Sequence, residues 1–130
     1  MEHINWIAVP VAALAGFAVG GLWYGPLFGK AWMQETGITM EQARAASMLR
    51  IYGTTFVLNL VAACSLAMFI GAGDMRFGAF AGFMTGLTFI ATAFGITYLF
   101  EFRSFRLWLI NAGYQVVIFT LMGTILGAWH

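Results

Sequence analysis

The side chains that could do chemistry in this sequence are mostly neutral amides and phenols. Asn111 and Gln115 lie one helical turn apart with Tyr114 beside them, and Asn59 lies in the middle of another uncharged stretch. Amides and phenols donate and accept hydrogen bonds, and in apolar surroundings they seek partners on neighbouring helices. The four residues therefore predict either a polar pocket for a neutral solute or an interhelical clamp, that is, side chains whose hydrogen bonds hold neighbouring helices together. The clamp is the favoured interpretation.

Catalytic and metal-binding constellations are not predicted. The two histidines, His3 and His130, lie at the ends of the chain, and Ser65 has no base one helical turn away. A nucleophile without a base, or a single ligand without companions, does not make a site. Cys64 is the only cysteine and is expected to be a small apolar filler. No enzyme activity, cofactor or metal is therefore predicted.

The composition indicates a membrane protein. Of the 130 residues, 62% are hydrophobic and 8% are charged, whereas a soluble domain carries about 25% charged residues. A net charge of +1 gives no basic surface for nucleic acid, so nucleic-acid binding is not expected. The length fits a single domain, with the lipid bilayer as its main surroundings.

The charged residues separate four long uncharged segments, each long enough to cross a hydrocarbon core of about 30 Å. Backbone groups in lipid must be paired within their own segment, so these segments are expected to be helices. The predicted fold is an all-α membrane protein, a bundle of four transmembrane helices at about 5–28, 50–72, 77–100 and 107–128. Apart from Arg50 at the first position of the second span, no Asp, Glu, Lys or Arg lies inside a span, which argues against proton-coupled transport.

The basic residues predict the orientation of this bundle. Four crossings place both termini on the same side as the 74–76 loop, which holds only Arg76 of the six basic residues. The opposite side holds the other five: Lys30, Arg44, Arg50, Arg103 and Arg106. By the positive-inside rule that side is cytoplasmic and both termini are outside.

Two connections carry local signals. Thr39 and Gln42 form a capping-box pattern, which predicts a short amphipathic helix over 40–49 that lies along the membrane interface in the connection between helices 1 and 2. This helix is either a gate or docking element or a plain connector; the connector is favoured. The 74–76 loop is flanked by Gly71, Gly73 and Gly78, so a left-handed glycine is expected to end helix 2 and Asp74 is expected to cap helix 3. Helices 2 and 3 are then expected to be tight antiparallel neighbours.

The stretch GGLWYGPLFGKAW, residues 20–32, contains glycines, aromatic residues and a proline at the end of the first span. Pro26 removes a backbone donor, so helix 1 is predicted to kink or end near Tyr24, with PLFGK as a non-helical exit. Trp23 and Tyr24 would then lie around this exit. A structural exit is favoured over a ligand site, because the matching position of helix 3 is Thr92 and not a proline.

Small residues at helical spacing predict where helices pack, because they allow backbones to approach closely. The predicted packing glycines are Gly16, Gly20 and Gly25 in helix 1, Gly78, Gly82 and Gly86 in helix 3, and Gly123 and Gly127 in helix 4. The pattern does not say whether these rows face the same chain or another subunit. So many small faces in a small bundle favour a homo-oligomer.

The run LWYGPLFGKAW at 22–32, the capped loop helix and the run FEFRSFRLWLINAGYQVV at 100–117 together resemble the domain-of-unknown-function family 1761. The resemblance covers nearly the whole chain. It implies four membrane helices and a bacterial inner-membrane location. It implies no activity, and no catalytic residue is carried over.

Two functional hypotheses follow. The first is a small oligomeric membrane protein that binds or passes a neutral or hydrophobic small molecule. Its predicted ligand-binding residues are Asn59, Asn111, Tyr114, Gln115, Trp23, Tyr24 and Pro26. The second is a structural or assembly subunit whose glycine faces dock into a larger membrane complex, without a ligand of its own. An enzyme is the third and least favoured alternative.

Overall fold

The computed structural model describes residues 4–39, 41–42 and 48–129. Within these ranges the chain consists of helices and connecting turns, without β-strands. Four helices are long and apolar enough to cross a membrane: Ala8–Leu27, Leu49–Ile70, Met75–Phe100 and Phe105–Ala128. The all-helical architecture with four long helices is therefore confirmed.

Two of the long helices contain a π-helical segment. The first long helix consists of α1 (Ala8–Leu22) and the first π segment (Trp23–Leu27), and the short helix α2 (Gly29–Thr36) follows it. The second long helix is α3 (Met48–Ile70), which is α-helical throughout. The third long helix consists of α4 (Met75–Thr85), the second π segment (Gly86–Ala91) and α5 (Thr92–Phe100), and the fourth long helix is α6 (Phe105–Ala128).

Short polar turns begin and end these helices. Gly71 has φ of +58° and ends α3 in the left-handed conformation, as predicted. Asp74 caps α4, because its Oδ1 accepts a hydrogen bond of 2.9 Å from the Phe77 N–H. Ser104 caps α6 in the same way, accepting from the Leu107 N–H at 3.0 Å. We refer to the two ends of the bundle as the Asp74 end and the Ser104 end.

Helix α6 is the centre of the bundle, since it packs against α1, α3 and α4. The side chains of Ile118 and Met122 on α6 are the largest fully buried ones among the described residues. The small residues Ala8, Ala12 and Gly16 line the buried face of α1. The core is thus built around one helix with large apolar side chains, which small residues of α1 approach closely.

Facing glycines bring α4 and α6 into backbone contact. A Cβ atom added to Gly78 would collide with the carbonyl oxygen of Gly123, and one added to Gly82 would collide with that of Phe119. The predicted packing residues Gly86 and Gly127 extend the same contact. These rows therefore pack within one chain.

The packing of the third long helix differs from the prediction. Helices α3 and α4 were expected to be tight neighbours, but α4 packs mainly against α6 and touches α3 to a much smaller extent. The reason is that the facing glycines let the backbones of α4 and α6 approach, and α3 offers α4 no such row. The short turn at Asp74 connects two helices without making them the main packing pair.

The predicted glycine row of helix 1 is only partly a packing surface. An added Cβ on Gly16 would lie 3.6 Å from the Met122 sulfur, and one on Gly20 would lie 2.9 Å from the Tyr114 hydroxyl oxygen. Around Gly25, in contrast, no described atom lies within 4 Å of an added Cβ. Gly25 is therefore not a packing residue in this structure, because it borders a cavity.

The predicted capping box is present. The Gln42 N–H donates to Thr39 Oγ1 at 3.2 Å, and the Thr39 N–H donates to Gln42 Oε1 at 2.9 Å. Glu41 and Gln42 are helical. The remainder of the predicted interfacial helix falls largely on residues 40 and 43–47, which lie outside the described residues.

Candidate functional site

Pro26 lies inside the first π segment. In an α-helix its ring would clash with the carbonyl group four residues earlier. Here the turn is wider, and the Phe28 N–H donates to the Trp23 carbonyl, five residues earlier, at 2.8 Å. Helix α2 then begins directly at Gly29. The predicted non-helical PLFGK exit is therefore wrong, because a π turn accommodates the proline and keeps the segment helical up to Leu27.

The first π segment directs two aromatic side chains at α6. The Trp23 indole Nε1–H donates to the Ile110 carbonyl at 2.9 Å. The Tyr24 hydroxyl donates to Asn111 Oδ1 at 2.7 Å. Two consecutive residues of the first long helix thus bind two consecutive residues of the fourth.

Asn111 joins three of the long helices. Its Oδ1 accepts from Tyr24 on the first, while its Nδ2 donates to the Tyr98 hydroxyl oxygen on the third at 2.7 Å. Both ends of this amide are therefore used by phenols of the same chain. For Asn111 the geometry agrees with an interhelical clamp.

Tyr114 fills the space that Gly20 leaves. Its hydroxyl donates to the Gly16 carbonyl at 3.2 Å, and its ring meets that of Tyr24 edge-on with the centroids 5.2 Å apart. Tyr114 is buried. The small residues of α1 and the large phenol of α6 are therefore complementary in shape.

A cavity of about 790 Å³ lies beside this cluster. Its walls come from all four long helices and from α2, and all four tyrosines of the protein line it. The lining residues are Phe17, Gly20, Gly21, Tyr24, Gly25, Trp32, Ile51, Tyr52, Thr55, Phe94, Tyr98, Asn111, Tyr114 and Gln115. None of these side chains carries a charge at neutral pH. The size falls within the range of about 300–1,000 Å³ that is typical of small-molecule sites.

Three side chains of the lining have a polar group without a hydrogen-bond partner within the described ranges. These groups are the amide of Gln115, the indole N–H of Trp32 and the hydroxyl of Tyr52, whose ring packs edge-on against Phe17 with the centroids 5.6 Å apart. The Thr55 hydroxyl, in contrast, donates to the Ile51 carbonyl at 2.7 Å. Hydrogen-bonding capacity therefore remains available at the cavity wall.

The second π segment lies in the third long helix, directly before α5, and no proline signals it. The Trp108 indole Nε1–H donates to the Ala91 carbonyl at 2.8 Å, at the last residue of this segment. Thr88 and Thr92 bond carbonyls of their own preceding turns. Helix α5, which follows, carries Phe94 and Tyr98 into the cavity lining.

Helix α2 covers part of the Ser104 end. Its Trp32 lines the cavity and meets the Tyr24 ring edge-on, with the centroids 5.8 Å apart. Its Glu35 accepts a hydrogen bond of 2.9 Å from the Ser104 hydroxyl. The residue that caps α6 thus also holds α2 in place.

Some predicted site residues lie away from the cavity. Trp23 and Pro26 belong to the supporting π segment but do not line the space. Asn59 faces α1 near Gly16, where its Nδ2 atom is buried without a hydrogen-bond partner among the described residues. The structure therefore brings together Tyr24, Asn111, Tyr114 and Gln115, and it leaves Asn59 apart.

The sequence-based prediction missed other lining residues. Tyr52, Tyr98 and Trp32 lie close to charged loop residues, where aromatic side chains commonly mark a membrane boundary. Their only available signal was that all of them belong to the same predicted end of the bundle. Residue type and depth alone could not separate cavity residues from boundary residues.

Comparison with known proteins gives a family without a known activity. Residues 7–127 match the family described as "Protein of unknown function (DUF1761)". No curated protein and no solved structure shows significant similarity to the chain. The match spans all four long helices together with the π segments and the clamp residue Asn111, and the chain therefore belongs to the DUF1761 family.

Proposed function

We propose that this protein binds a neutral small molecule in the cavity between its helices, as a multi-pass membrane protein. The observation that carries the proposal is a space of about 790 Å³ whose lining combines aromatic walls, uncharged phenols and an unused amide. A charged solute would find no balancing charge in such a lining. A neutral or hydrophobic molecule would gain apolar contact and a few oriented hydrogen bonds.

The membrane location is supported by the outer surface of the bundle. Large apolar side chains such as Leu14, Leu58 and Phe89 are 58%, 63% and 68% exposed. In water such an extended apolar surface would drive aggregation, whereas in lipid it costs little. Sodium carbonate washing of membranes should leave the protein in the pellet, and its release into the supernatant would contradict insertion.

The proposed setting is a bacterial inner membrane, as the family resemblance implies, with both termini outside. The orientation is supported by the five basic residues at the predicted cytoplasmic side. A cysteine introduced by Arg103→Cys should then be protected from a membrane-impermeant thiol reagent in intact cells and become labelled after lysis. Labelling of intact cells would reverse the orientation.

The assembly alternative is favoured by one observation. Both ends of the Asn111 amide are bonded within the chain, as expected for a structural clamp. The proposed homo-oligomer, in turn, needs surfaces other than the α4 and α6 glycine rows, because those rows pack inside the chain. An assembly subunit would co-purify with a stable partner and would retain no small molecule.

Two glycine substitutions provide the test. Gly21 lines the cavity and Gly53 does not, yet an added Cβ meets no atom within 4 Å at either position. Gly21→Leu should fill the space without a clash, whereas Gly53→Leu adds the same side chain elsewhere. Native mass spectrometry after mild detergent extraction should detect a bound small molecule in the wild type and in Gly53→Leu, but less of it in Gly21→Leu. Equal retention in all three proteins would contradict the proposal.

A further inference from the structure

The hydrogen bonds around Asn111 leave one phenolic hydrogen over. Tyr24 and Tyr98 each bond one end of the amide, and the amide offers an oxygen at one end and an NH₂ group at the other. Only the phenol at the oxygen end can donate to Asn111. The other phenol accepts from the NH₂ group, so its own O–H still needs an acceptor. Rotating the amide by 180° exchanges the two phenols but leaves the same surplus.

The structure places this surplus hydrogen on Tyr98. Asn111 Nδ2 donates to the Tyr98 hydroxyl oxygen at 2.7 Å, and no acceptor for the Tyr98 hydrogen lies within the described ranges. Tyr98 lines the cavity. The neighbouring phenol Tyr114 differs, because its hydrogen is already bound to the Gly16 carbonyl. One oriented donor is therefore available to a molecule in the cavity.

Gln115 adds a second donor to the same wall. It lies one turn beyond Asn111 on α6, lines the cavity, and its amide has no partner among the described residues. An amide NH₂ group supplies two N–H donors. Together, Tyr98 and Gln115 favour an occupant with a hydrogen-bond acceptor such as a carbonyl oxygen.

The shape of the bundle indicates how the occupant reaches these donors. Tyr52 on α3 and Phe94 on α5 both line the cavity, but α3 and α5 are not a packed pair. At the Ser104 end, Trp32 and the link between Glu35 and Ser104 hold α2 across the bundle. Among the described elements, no packing of α3 against α5 closes the cavity on the side between them, and in a membrane this side offers a route from the lipid.

We infer that the occupant is a neutral, lipid-soluble molecule whose head carries a carbonyl-type acceptor, and that it enters from the bilayer between α3 and α5. This inference rests on the proposed function of small-molecule binding. The acceptor receives hydrogen bonds from Tyr98 and Gln115, while the apolar part lies against Phe17 and Phe94. A carboxylate head lacks a cation in the lining, and an ammonium head lacks an anion.

Three probes test the inference on the full-length protein in detergent: 2-dodecanone, dodecane and 2-butanone. Binding is measured for each by native mass spectrometry, with competition against 2-dodecanone. The wild type should bind 2-dodecanone about tenfold more tightly than dodecane, because a donor left unpaired in an apolar site is unfavourable. At equal concentration, 2-butanone should not displace 2-dodecanone, since it has the same head but little apolar surface. Displacement by 2-butanone would contradict a lipid-soluble occupant.

Two variants assign the acceptor to its donors. Tyr98→Phe and Gln115→Leu should each weaken 2-dodecanone binding several-fold and leave dodecane binding unchanged, so that the preference for the ketone falls in each variant. An unchanged ketone preference in both variants would overturn the inference about the head group and leave the proposed function standing. Having both variants guards against loss of folding in one, which the elution profile and helical circular dichroism would reveal.

The cavity-filling variant shows whether the inference about the head group fails alone or the proposed small-molecule binding fails with it. Gly21→Leu should weaken binding of 2-dodecanone and dodecane alike, because it occupies the space that both apolar chains need. Gly53→Leu should change neither. If neither probe binds the wild type, or if Gly21→Leu changes nothing, the proposed function itself fails together with the inference.

Discussion

Gly78 and Gly123 lie so close together that a Cβ atom added to either one would collide with the carbonyl oxygen of the other. The relationship is reciprocal, so each Cα–H group is directed at the partner's carbonyl, a contact that recurs between closely packed helices. It fixes α4 against α6 without any polar side chain. The third and fourth long helices are therefore held together by a backbone contact in which no cavity-lining residue takes part.

Substitution of either glycine by alanine should destabilise the bundle. Gly78→Ala and Gly123→Ala introduce overpacking against a rigid backbone, at a cost of about 1–3 kcal/mol. Thermal unfolding in detergent, followed by circular dichroism, should show a lower midpoint for both variants. Gly53→Ala is the matched control, because its added methyl group meets nothing within 4 Å and alanine favours the helix by about 0.5–1 kcal/mol. A midpoint that falls in the control as well would contradict the backbone contact.

The two asparagines of the long helices should respond to leucine in opposite directions. Asn59→Leu removes a buried amide nitrogen that has no partner in the described chain, so the free energy of unfolding should rise by about 1 kcal/mol. Asn111→Leu leaves two phenols without their partner and should lower it by about 1–3 kcal/mol. Both are measured as thermal midpoints under identical detergent conditions. Shifts of the same sign would contradict the difference in hydrogen bonding between the unpartnered Asn59 amide nitrogen and the fully bonded Asn111 amide.

Asn111→Leu should also abolish binding of the small molecule, because Tyr24 and Tyr98 lose the group that orients them at the cavity wall. The measurement is the loss of the small-molecule adduct in native mass spectrometry. Asn59→Leu is the appropriate comparison, since Asn59 does not line the cavity. Undiminished binding in Asn111→Leu would remove the amide from the site.

Ser104 has two roles that a pair of substitutions can separate. It caps α6 through the Leu107 N–H and donates to Glu35 of α2. Ser104→Ala should remove both interactions, with the lost cap costing about 1 kcal/mol. Ser104→Asp should keep the cap, because aspartate is a good capping residue, and should repel the Glu35 carboxylate. Hydrogen exchange across 29–36 should therefore increase in both variants, while thermal stability should fall mainly in Ser104→Ala.

The indole of Trp108 should stabilise the second π segment. Trp108→Phe removes the hydrogen bond to the Ala91 carbonyl, a loss of about 1 kcal/mol, and hydrogen exchange should rise locally over 86–95. Trp129→Phe is the control, because its side chain makes no hydrogen bond within the described ranges and is partly exposed. Equal exchange in the wild type and in Trp108→Phe would show that the segment is stable without the indole.

Local features of the structure follow the sequence closely. The left-handed Gly71, the Asp74 cap and the reciprocal bonds of Thr39 with Gln42 lie where the residue types predicted them. Each depends on residues within about one helical turn, so neighbouring side chains are sufficient to define it. The response of the chain to Pro26 was predicted only in part. A disturbance was expected at this position, but the sequence did not indicate a π turn in which the Phe28 N–H bonds the Trp23 carbonyl.

The sequence predicted which residue types line the cavity better than it predicted which individual residues reach it. Tyr24, Asn111, Tyr114 and Gln115 come together in one cavity wall, whereas Asn59 lies elsewhere. An amide in an apolar segment is expected to point into the bundle, and all three amides lie at buried or partly buried positions. Which part of the bundle each one reaches depends on helix rotation and pairing, to which a single sequence carries few clues.

The sequence by itself determined that the chain forms four long apolar helices with short polar connections, because long uncharged segments leave the backbone no other way to pair its polar groups away from water. Only the tertiary structure decided that α4 packs on α6 and not on α3, since that choice depends on which rows of glycine meet. It also decided that four tyrosines, far apart in the chain, line one cavity. The reason is that all four long helices bound this cavity, so its shape depends on how those helices pack together.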